Sequence, residues 1–277
     1  MSGMPKVAVL MSVYKNDQIS WLNQALDSIA CQSYGSENIR LYLAVDGQVG
    51  NDLEDVLALR KNEIHKLVRN NVNRGLSKTL NLLIDSLEDE VLAFRMDADD
   101  VCMPDRFEIQ AKFLLENRNI GIVGSGCTEI DENGVALRER TYPEHASEIE
   151  KFACKANPML HPSMCYRCDL FDEGLRYPAN YRLSQDWALV FEAIRRGIVL
   201  HNIPKSLINW RLSSDFFARR SIERSWQEFI IGMGGIYKIR RISWRYIYPF
   251  ARLAFRLLPT PVAKFVYGSQ LRKSFLK

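Results

Sequence analysis

Residues 94–100 have the sequence Phe94-Arg95-Met96-Asp97-Ala98-Asp99-Asp100, in which an apolar run typical of a strand ends in three carboxylates within four positions. Like charges this close resist burial, whereas a divalent cation that bridges to phosphate oxygens keeps them ionised. Oxygen ligands favour Mg²⁺ or Mn²⁺. The stretch therefore predicts a buried strand followed by a cation-binding loop, with a solvated acidic loop as the simpler alternative.

Strand-like and helix-like segments alternate on both sides of this stretch. Pro104 suits a first helical position and Asp105 the opening turn of a helix. The hydrophobic pattern predicts strands at residues 7–12, 39–45, 65–68, 91–96 and 120–124, and helices near residues 21–29, 52–59, 76–87, 107–114 and 187–194. Asn16, Asp17 or Ser20 is the expected cap of the first helix. This order predicts an α/β fold with a mainly parallel sheet and helices on both faces.

Three polar stretches follow strands of this predicted sheet: residues 14–17, Asp46 and residues 97–100. Ligands of such sheets bind outside the carboxyl ends of the strands, so we predict that these residues form one site. No G-x-G-x-x-G sequence follows a strand and no Walker lysine motif is present. The sequence therefore does not favour a dinucleotide-dependent oxidoreductase or a P-loop protein.

The six cysteines are scattered, and no signal peptide precedes them, which favours reduced thiols in the cytosol. Cys165 and Cys168 form a lone C-x-x-C pair with only His161 nearby. A structural zinc site needs a second pair of ligands, so zinc is not expected.

The C-terminal segment is one-sided in charge. Residues 229–277 contain ten basic residues and no Asp or Glu, and the other 228 residues have 27 basic against 33 acidic residues, a net charge of −6. Basic residues recur too often for a membrane-spanning helix, but basic and aromatic faces suit a helix in the interface of an anionic membrane. The expected membrane residues are Arg240, Arg241, Trp244, Arg245, Arg252 and Arg256. Nucleic acid is a less suitable anion because the pattern is also aliphatic, and a helical pair packed on the main domain remains the alternative.

The chain resembles the inverting family-two glycosyltransferases of the GT-A, Rossmann-like type, particularly bacterial enzymes that assemble O-antigen, capsule or exopolysaccharide repeat units. The matching stretches are residues 7–14, 45–47, 73–76, 95–100, 104–107, 161–163 and 185–187, of which 95–100 with its Pro-Asp-Arg-Phe continuation is the most specific. The resemblance covers about the first 215 residues. It implies a catalytic domain at 1–225, with a nucleotide-sugar half at 1–125 and an acceptor half at 126–225, followed by a membrane-interface segment at 226–277.

Site residues on the donor side follow from the resemblance. Tyr14 and Asp46 are expected at the uracil and its ribose, and Asp97 near the ribose. Arg74 and Lys78 are expected near the nucleotide or its diphosphate, where their positive charge would stabilise an anionic leaving group. Asp99, with Asp100, is expected to hold Mn²⁺ or Mg²⁺. Tyr14 could equally be a half-buried strand-end aromatic, Asp46 a turn residue and Lys78 a solvated helix residue.

Inversion needs a base that removes the proton of the attacking hydroxyl, and Asp186 is the candidate. It lies where the family has its catalytic acidic pair, and Gln185 replaces the first member of that pair. A partly apolar setting would raise the pKa of Asp186, whereas the N-terminus of a helix would lower it. Gln185 and His161 could contact the acceptor, although a histidine before proline is often a satisfied structural group.

Two departures from the family bear on the number of sugars transferred and on the ligands of the metal. The Gln-x-x-Arg-Trp motif of processive synthases is missing, which favours one sugar per acceptor, and no histidine follows at 210–214 to complete the metal site. The resemblance implies transfer of galactose or glucose from a UDP-sugar to a lipid-linked acceptor. We expect GlcNAc-diphosphoundecaprenol as this acceptor, a β-1,3 linkage, and a peripheral protein at the cytoplasmic face of the bacterial inner membrane. A nucleotidyltransferase and a non-catalytic, membrane-associated sugar-nucleotide binder remain the alternatives.

Overall fold

The structure is a computed structural model that describes residues 4–212 and 222–256. Residues 257–277, which include the last four basic residues of the C-terminal segment together with Leu257 and Leu258, lie outside the described residues. The predictions made for that part of the chain therefore remain predictions.

Strands and helices alternate through the first half of the chain, as the hydrophobic pattern predicts. The strands are β1 (Val7–Val13), β2 (Ile39–Asp46), β3 (Ile64–Asn70), β4 (Leu92–Met96), β5 (Val101–Cys102), β6 (Ile120–Ile130), β7 (Ala136–Arg140), β8 (Cys165–Arg167) and β9 (Val199–Arg211). The helices are α1 (Ile19–Ala30), α2 (Asn51–Leu59), α3 (Leu76–Ile84), α4 (Arg106–Glu116), α5 (Ala146–Ala153), α6 (Asp169–Asp172), α7 (Gln185–Arg195), α8 (Ile222–Arg240) and α9 (Ile247–Arg256).

A single sheet organises the described residues, with strand order β3-β2-β1-β4-β8-β6-β9-β5 and β7 paired to β6. Strands β1 to β4 run parallel, β8 is antiparallel to both of its neighbours, and β6 and β9 are parallel. This is the mixed, mainly parallel sheet expected of the GT-A type. Residue 125 lies inside β6 and residue 225 inside α8, so the expected divisions of the chain fall within continuous elements.

The two faces of the sheet are covered by different helices, and alternation along β1 shows how. Val7, Val9 and Met11 are fully buried against α1, α2 and α4, whereas Ala8 and Leu10 are buried against α3, α7 and α8. A strand buried on both faces is a continuous apolar run because alternate side chains enter different cores. The prediction of helices on both faces is confirmed.

Three local predictions need correction. Helix α1 begins after Gln18, and no side chain caps it, because Asp17 instead accepts a hydrogen bond from the backbone of Tyr14. Helix α4 begins at Arg106, with Pro104 and Asp105 in the preceding turn. Strand β6 continues six residues beyond its apolar start, since pairing with β7 and β9 satisfies the backbone where the sequence becomes polar.

The described part of the C-terminal segment packs on the rest of the chain. Glu228 of α8 is buried and forms ion pairs with Arg252 and Arg256, and Arg240 pairs with Glu150 of α5. Arg252 and Arg256 are partly buried in these pairs, whereas Arg240 is paired and still exposed. A membrane role for the three arginines stays a prediction. None of the helices within residues 4–212 and 222–256 is long and apolar enough to cross a membrane.

Candidate active site

The carboxyl ends of β1, β2 and β4 meet at one edge of the sheet. In β1, Met11 pairs with Met96 of β4 and Val13 pairs with Val45 of β2. The next residues of the outer two strands, Asp97 and Asp46, therefore flank the end of β1. The three polar stretches that the sequence predicted to converge are brought together.

The three carboxylates after β4 form a cluster that suits a divalent cation. One ligand oxygen from each of Asp97, Asp99 and Asp100 lies within 4.8 Å of the others. Oδ1 of Asp100 accepts the backbone N–H of Arg211 at 2.9 Å, and its buried Oδ2 has no hydrogen-bond partner in the described parts of the chain. Burial, and then the charges of Asp99 and Asp97, raises the pKa of Asp100 well above its ordinary value. A cation would give this oxygen a partner and offset the repulsion among the three groups.

Two buried arginines bind the backbone next to residues 97–100, which we name the acidic loop. Arg95 forms an ion pair with Asp97, and its guanidinium also donates to the carbonyls of Leu10 and Met96. Arg106 donates to the carbonyl of Arg95 at 2.9 Å and lies over the ring of Phe94. Since both guanidiniums bind backbone carbonyls, they fix the path of the chain where β4 ends.

Arg211 at the end of β9 holds the loop from the other side, and sequence reasoning missed it. Its side chain donates to the carbonyl of Asp99 at 2.8 Å, to the carbonyls of Asp131 and Glu132, and to Gln24 of α1 at 2.6 Å. The guanidinium is almost fully buried. The sequence showed only that Arg211 follows Trp210 near the end of a strand. A local pattern cannot predict contacts with Asp99 and Asp100, which lie more than a hundred positions earlier.

Asp17 is a fourth carboxylate at this edge; the sequence predicted it as a possible helix cap and as part of the polar stretch 14–17, but gave it no individual role in the site. Its Oδ2 accepts the N–H of Tyr14 at 2.8 Å, which closes the turn after β1. Burial, with the nearby charges of Asp99 and Asp97, raises the pKa of Asp17 to about 7. Tyr14 itself is 38% exposed at this turn.

Asp46 organises the donor-side loop that contains Arg74. Its Oδ1 accepts the backbone N–H of Arg74 at 2.8 Å and the side-chain amide of Asn70 at 2.9 Å, and its Oδ2 accepts the N–H of Gly75 at 2.9 Å. Gly47 follows with φ of 93°, and a Cβ there would lie 2.8 Å from the backbone of Asn73. Asp46 therefore binds the backbone of Arg74 directly. The side chains of Arg74 and of Lys78 on α3 are exposed.

Asp186 lies in the first turn of α7 and is partly buried. Asn157, which the sequence did not suggest, donates to its Oδ2 at 2.6 Å. Burial raises the pKa of Asp186 to about 6, against the lowering effects of the helix backbone and of Arg224, and the charge of Asp97 raises it further. Desolvation therefore outweighs the helix terminus, and the carboxylate is suited to accept a proton near neutral pH.

His161 and Gln185 are both buried. The Nε2 atom of His161 lies 2.8 Å from the hydroxyl of Tyr177, which lies 2.8 Å from the hydroxyl of Tyr166. Burial, and then the charge of Arg95, lowers the pKa of His161 well below its ordinary value. These contacts agree with the satisfied structural group that the sequence left as the alternative, and acceptor contact by His161 or Gln185 stays a prediction.

A second group of potential metal ligands lies at the opposite end of the sheet and already binds an arginine side chain. His65, Glu88 and Glu90 lie close together, and the guanidinium of Arg40 donates to Glu90 at 2.8 Å and to Glu88 at 3.3 Å. The positive charge next to these carboxylates is therefore supplied by Arg40.

Comparisons with solved structures agree with the fold. The crystal structure of residues 1–349 of S. aureus TarS in complex with UDP superimposes with a TM-score of 0.64 at 16% sequence identity, covering 97% of this chain and 77% of that one. The chain spans 47% of the longer TarS chain of another crystal structure. At this identity the likeness concerns the GT-A fold.

Sequence relatives extend over nearly the whole chain. An uncharacterised glycosyltransferase of Haemophilus influenzae is 31% identical over 97% of this chain and 100% of its own length. The amylovoran biosynthesis glycosyltransferase AmsE of Erwinia amylovora is 28% identical, covering 94% and 97%. The UDP-Gal:alpha-D-GlcNAc-diphosphoundecaprenol beta-1,3-galactosyltransferase of Escherichia coli is 27% identical, covering 97% and 98%. The sequence profile of glycosyl transferase family 2 matches residues 8–175, and the chain is therefore a member of this family.

Proposed function

We propose that the protein transfers galactose or glucose from a UDP-sugar to a lipid-diphosphate-linked sugar, with inversion at the anomeric carbon, during assembly of an O-antigen or polysaccharide repeat unit. One observation supports this more than any other. A cation-competent carboxylate cluster and a single carboxylate with a pKa of about 6 lie close enough for the charge of Asp97 to act on Asp186.

The donor side of the proposal uses the edge formed by β1, β2 and β4. The exposed ring of Tyr14 provides a stacking face for uracil. Asp46 accepts one hydrogen bond on Oδ2, which leaves that oxygen a second lone pair for a uracil N–H. Arg74 and Lys78 offer positive charge to the diphosphate, and Asp97 lies near the ribose.

Asp99 and Asp100 are the residues that would hold Mn²⁺ or Mg²⁺. The Oδ2 of Asp100, which has no hydrogen-bond partner among residues 4–212 and 222–256, and the close approach of three carboxylates fit such an ion. When bound, it would neutralise negative charge on the diphosphate leaving group.

Asp186 accepts the proton of the acceptor hydroxyl in this mechanism. The hydroxyl oxygen forms a bond to the anomeric carbon, the bond from that carbon to the diphosphate oxygen breaks, and UDP leaves with the electron pair. Asn157 donates a 2.6 Å hydrogen bond to Oδ2 of Asp186 and thereby helps to orient the carboxylate that takes the proton.

The acceptor in this proposal is GlcNAc-diphosphoundecaprenol, extended through a β-1,3 linkage. The support is the E. coli relative, whose name gives this acceptor and linkage and which matches nearly the whole chain. The AmsE relative, whose name gives amylovoran biosynthesis, supports a role in polysaccharide assembly.

Attachment to the anionic cytoplasmic face of the inner membrane completes the proposal. In the turn between α8 and α9, Ile242 is 97% and Trp244 71% exposed, and the exposed Arg241 precedes them. Ile247 at the start of α9 is also exposed. We name these four residues the α8–α9 corner; its apolar side chains suit a lipid interface and its arginine an anionic headgroup.

The direct test uses purified full-length protein, a synthetic GlcNAc-diphosphate-lipid and a panel of UDP-sugars with Mn²⁺ or Mg²⁺. We expect one preferred UDP-hexose, and the inverted anomeric configuration in the product by NMR. Release of nucleotidyl products would support the nucleotidyltransferase alternative. Tight UDP-sugar binding without transfer to any acceptor tested would support the non-catalytic binder.

A further inference from the structure

The backbone before helix α7 adopts a conformation that needs support from outside. Ser184, which directly precedes the helix, has φ of 55° and ψ of 29°, in the left-handed region that residues other than glycine rarely adopt. Such a conformation persists where neighbouring contacts over-determine it. Asp186 lies two residues further on, so whatever holds Ser184 also sets the direction of the candidate base.

Helix α8 supplies these contacts with two consecutive side chains. Oε1 of Gln227 accepts the backbone N–H of Leu183 at 2.9 Å, and the Ser184 hydroxyl donates to Oε1 of Glu228 at 3.4 Å. Gln227 is itself oriented, because its amide group donates to Glu223 one turn earlier at 3.3 Å. The loop before α7 is therefore bound by a helix more than forty positions later in the chain.

Helix α8 is fixed to α7 by several further contacts. Buried Glu228 accepts from Arg224 at 3.3 Å and from Arg252 at 2.9 Å, and the Arg252 guanidinium lies 5.6 Å from the ring centre of Trp187. At Gly235 the two helices touch so closely that a Cβ would lie 2.2 Å from the ring of Phe191. Displacement of α8 would therefore move the start of α7.

We propose that Gln227 and Glu228 are positioning residues for Asp186, so that the C-terminal helices are part of the catalytic unit as well as a candidate membrane contact. The inference rests on the proposed function, because it takes Asp186 as the base. It revises our expectation that the segment after residue 226 serves the membrane alone.

Gln227 gives the cleaner test, since removal of Glu228 would leave buried arginines without their carboxylate. Gln227→Met keeps the length of the side chain but removes the acceptor for the Leu183 N–H. Gln227→Glu, made together with Glu223→Gln so that the two side chains can still form a hydrogen bond, keeps an oxygen at that place. For transfer to a water-soluble acceptor analogue, we expect Gln227→Met to lower kcat roughly 10-fold or more while the KM for the UDP-sugar stays within about 2-fold. The double variant Gln227→Glu with Glu223→Gln should recover most of kcat.

Lys238→Gln is the matched control, because it removes an exposed ion pair with Glu192 elsewhere between the same two helices. It should leave kcat and KM unchanged. Equal kcat for Gln227→Met and wild type, or an equal loss in Lys238→Gln, would overturn the proposal.

Hydrogen exchange separates failure of this proposal from failure of the proposed function, because it requires no activity. Gln227→Met should speed exchange at the Leu183 amide, and the double variant Gln227→Glu with Glu223→Gln should not. If Asp186→Asn proved fully active while the exchange result held, Asp186 would not be the base, although the loop would still be bound by α8. Unchanged exchange would overturn the structural coupling itself.

Discussion

The carboxylates of this protein differ in proton affinity because each has different neighbours at short range. Asp17, Asp100 and Asp186 are desolvated more strongly than their partners compensate, so the pKa of each is raised. Glu228 is equally enclosed, but its arginines reverse the effect of burial and lower its pKa. Burial alone therefore does not determine the direction in which the pKa of these carboxyl groups shifts. The direction depends on the balance between burial and the positive charge of neighbouring arginines.

Asp99→Asn tests the cation site. Replacing one carboxylate of the cluster with an amide should lower kcat by roughly 10²-fold or more and weaken the dependence of UDP binding on Mn²⁺, because an amide stabilises the ion and its diphosphate less. The melting temperature should change little. Turnover assays with and without chelator and calorimetry with UDP provide the measurements; transfer that is insensitive to chelator would contradict the assignment.

Asp186→Asn tests the base. We expect a loss of about 10²-fold or more in kcat, with UDP-sugar affinity nearly normal. The wild-type kcat should rise with pH through about 6, since the deprotonated carboxylate is the active form, and this rise should be absent from the residual activity of the variant. Because burial disfavours the charged form, the neutral amide should not lower the melting temperature at pH 8. Loss of nucleotide binding would instead assign Asp186 to the donor site.

At the scale of elements, the contacts that matter most join segments far apart in sequence. Strand β9 reaches the acidic loop through Arg211, 111 positions after Asp100, and α8 reaches the start of α7 through Gln227. In each case a polar side chain binds the backbone of a loop. The loops thereby gain fixed geometry that their own sequences do not specify.

Glu228→Gln tests how firmly α8 and α9 are attached. Burial by itself would raise the pKa of Glu228, but Arg252, Arg256 and Arg224 together hold it below its ordinary value of 4.5. A lowered pKa in the folded state means that the stabilisation is present above about pH 4.5 and is lost as pH falls through the lower, folded-state value. We expect the variant to lower the free energy of unfolding by about 3 kcal/mol or more at pH 7, with the difference shrinking below pH 4.5.

Thermal and urea denaturation at pH 7 and at a pH below the folded-state pKa of Glu228 would measure this difference. Glu223→Gln, an exposed substitution on the same helix, is the control and should change stability by no more than about 0.5 kcal/mol. A deficit of equal size at both pH values would show that Glu228 acts through packing and not through its charge.

At the scale of the molecule, one sheet joins the donor edge, the candidate base and the C-terminal helices. The α8–α9 corner is exposed, whereas three of the expected membrane arginines pair with carboxylates of the protein. We therefore expect the apolar side chains of the corner to contribute a larger share of the membrane-binding free energy, and the arginines a smaller share, than a count of basic residues would suggest.

Liposome flotation tests the membrane proposal. Binding should require anionic vesicles and should weaken without vanishing at high salt, because screening reduces only the electrostatic share. The double variant Ile242→Ser with Trp244→Ser should reduce binding at least about 10-fold, since each buried apolar side chain contributes roughly 1.5–3 kcal/mol. Leu59→Ser, at an exposed apolar position on α2, is the control. Equal binding to neutral and anionic vesicles, or an unaffected double variant, would contradict the proposal.

The sequence predicted the strands of the first half well, because a strand buried on both faces is an apolar run that needs no distant information. It was less informative after residue 124, where β6 continues through polar residues and the remaining strands are short or pair with distant partners. Among candidate site residues, the hydrophobic pattern alone predicted that Asp46 lies at the end of β2 and that Asp97 directly follows β4. Asp99 and Asp186 came from the acidic motif and from the family resemblance, and their roles stay predictions. Asn157 and Arg211 could not be predicted, because their partners lie 29 and more than a hundred positions away.

The sequence by itself determined the α/β class, the edge at which the polar residues meet, and the family, because all three depend on local periodicity and on a short acidic motif. Only the tertiary structure decided the protonation of Asp186 and the placing of Glu228 within a cluster of arginines. The same folding pairs part of the basic segment with the protein and leaves the α8–α9 corner exposed. The physical reason is that burial and ion pairing depend on which distant segments pack together, and the packing of α7, α8 and α9 is not written in the local pattern of any one of them.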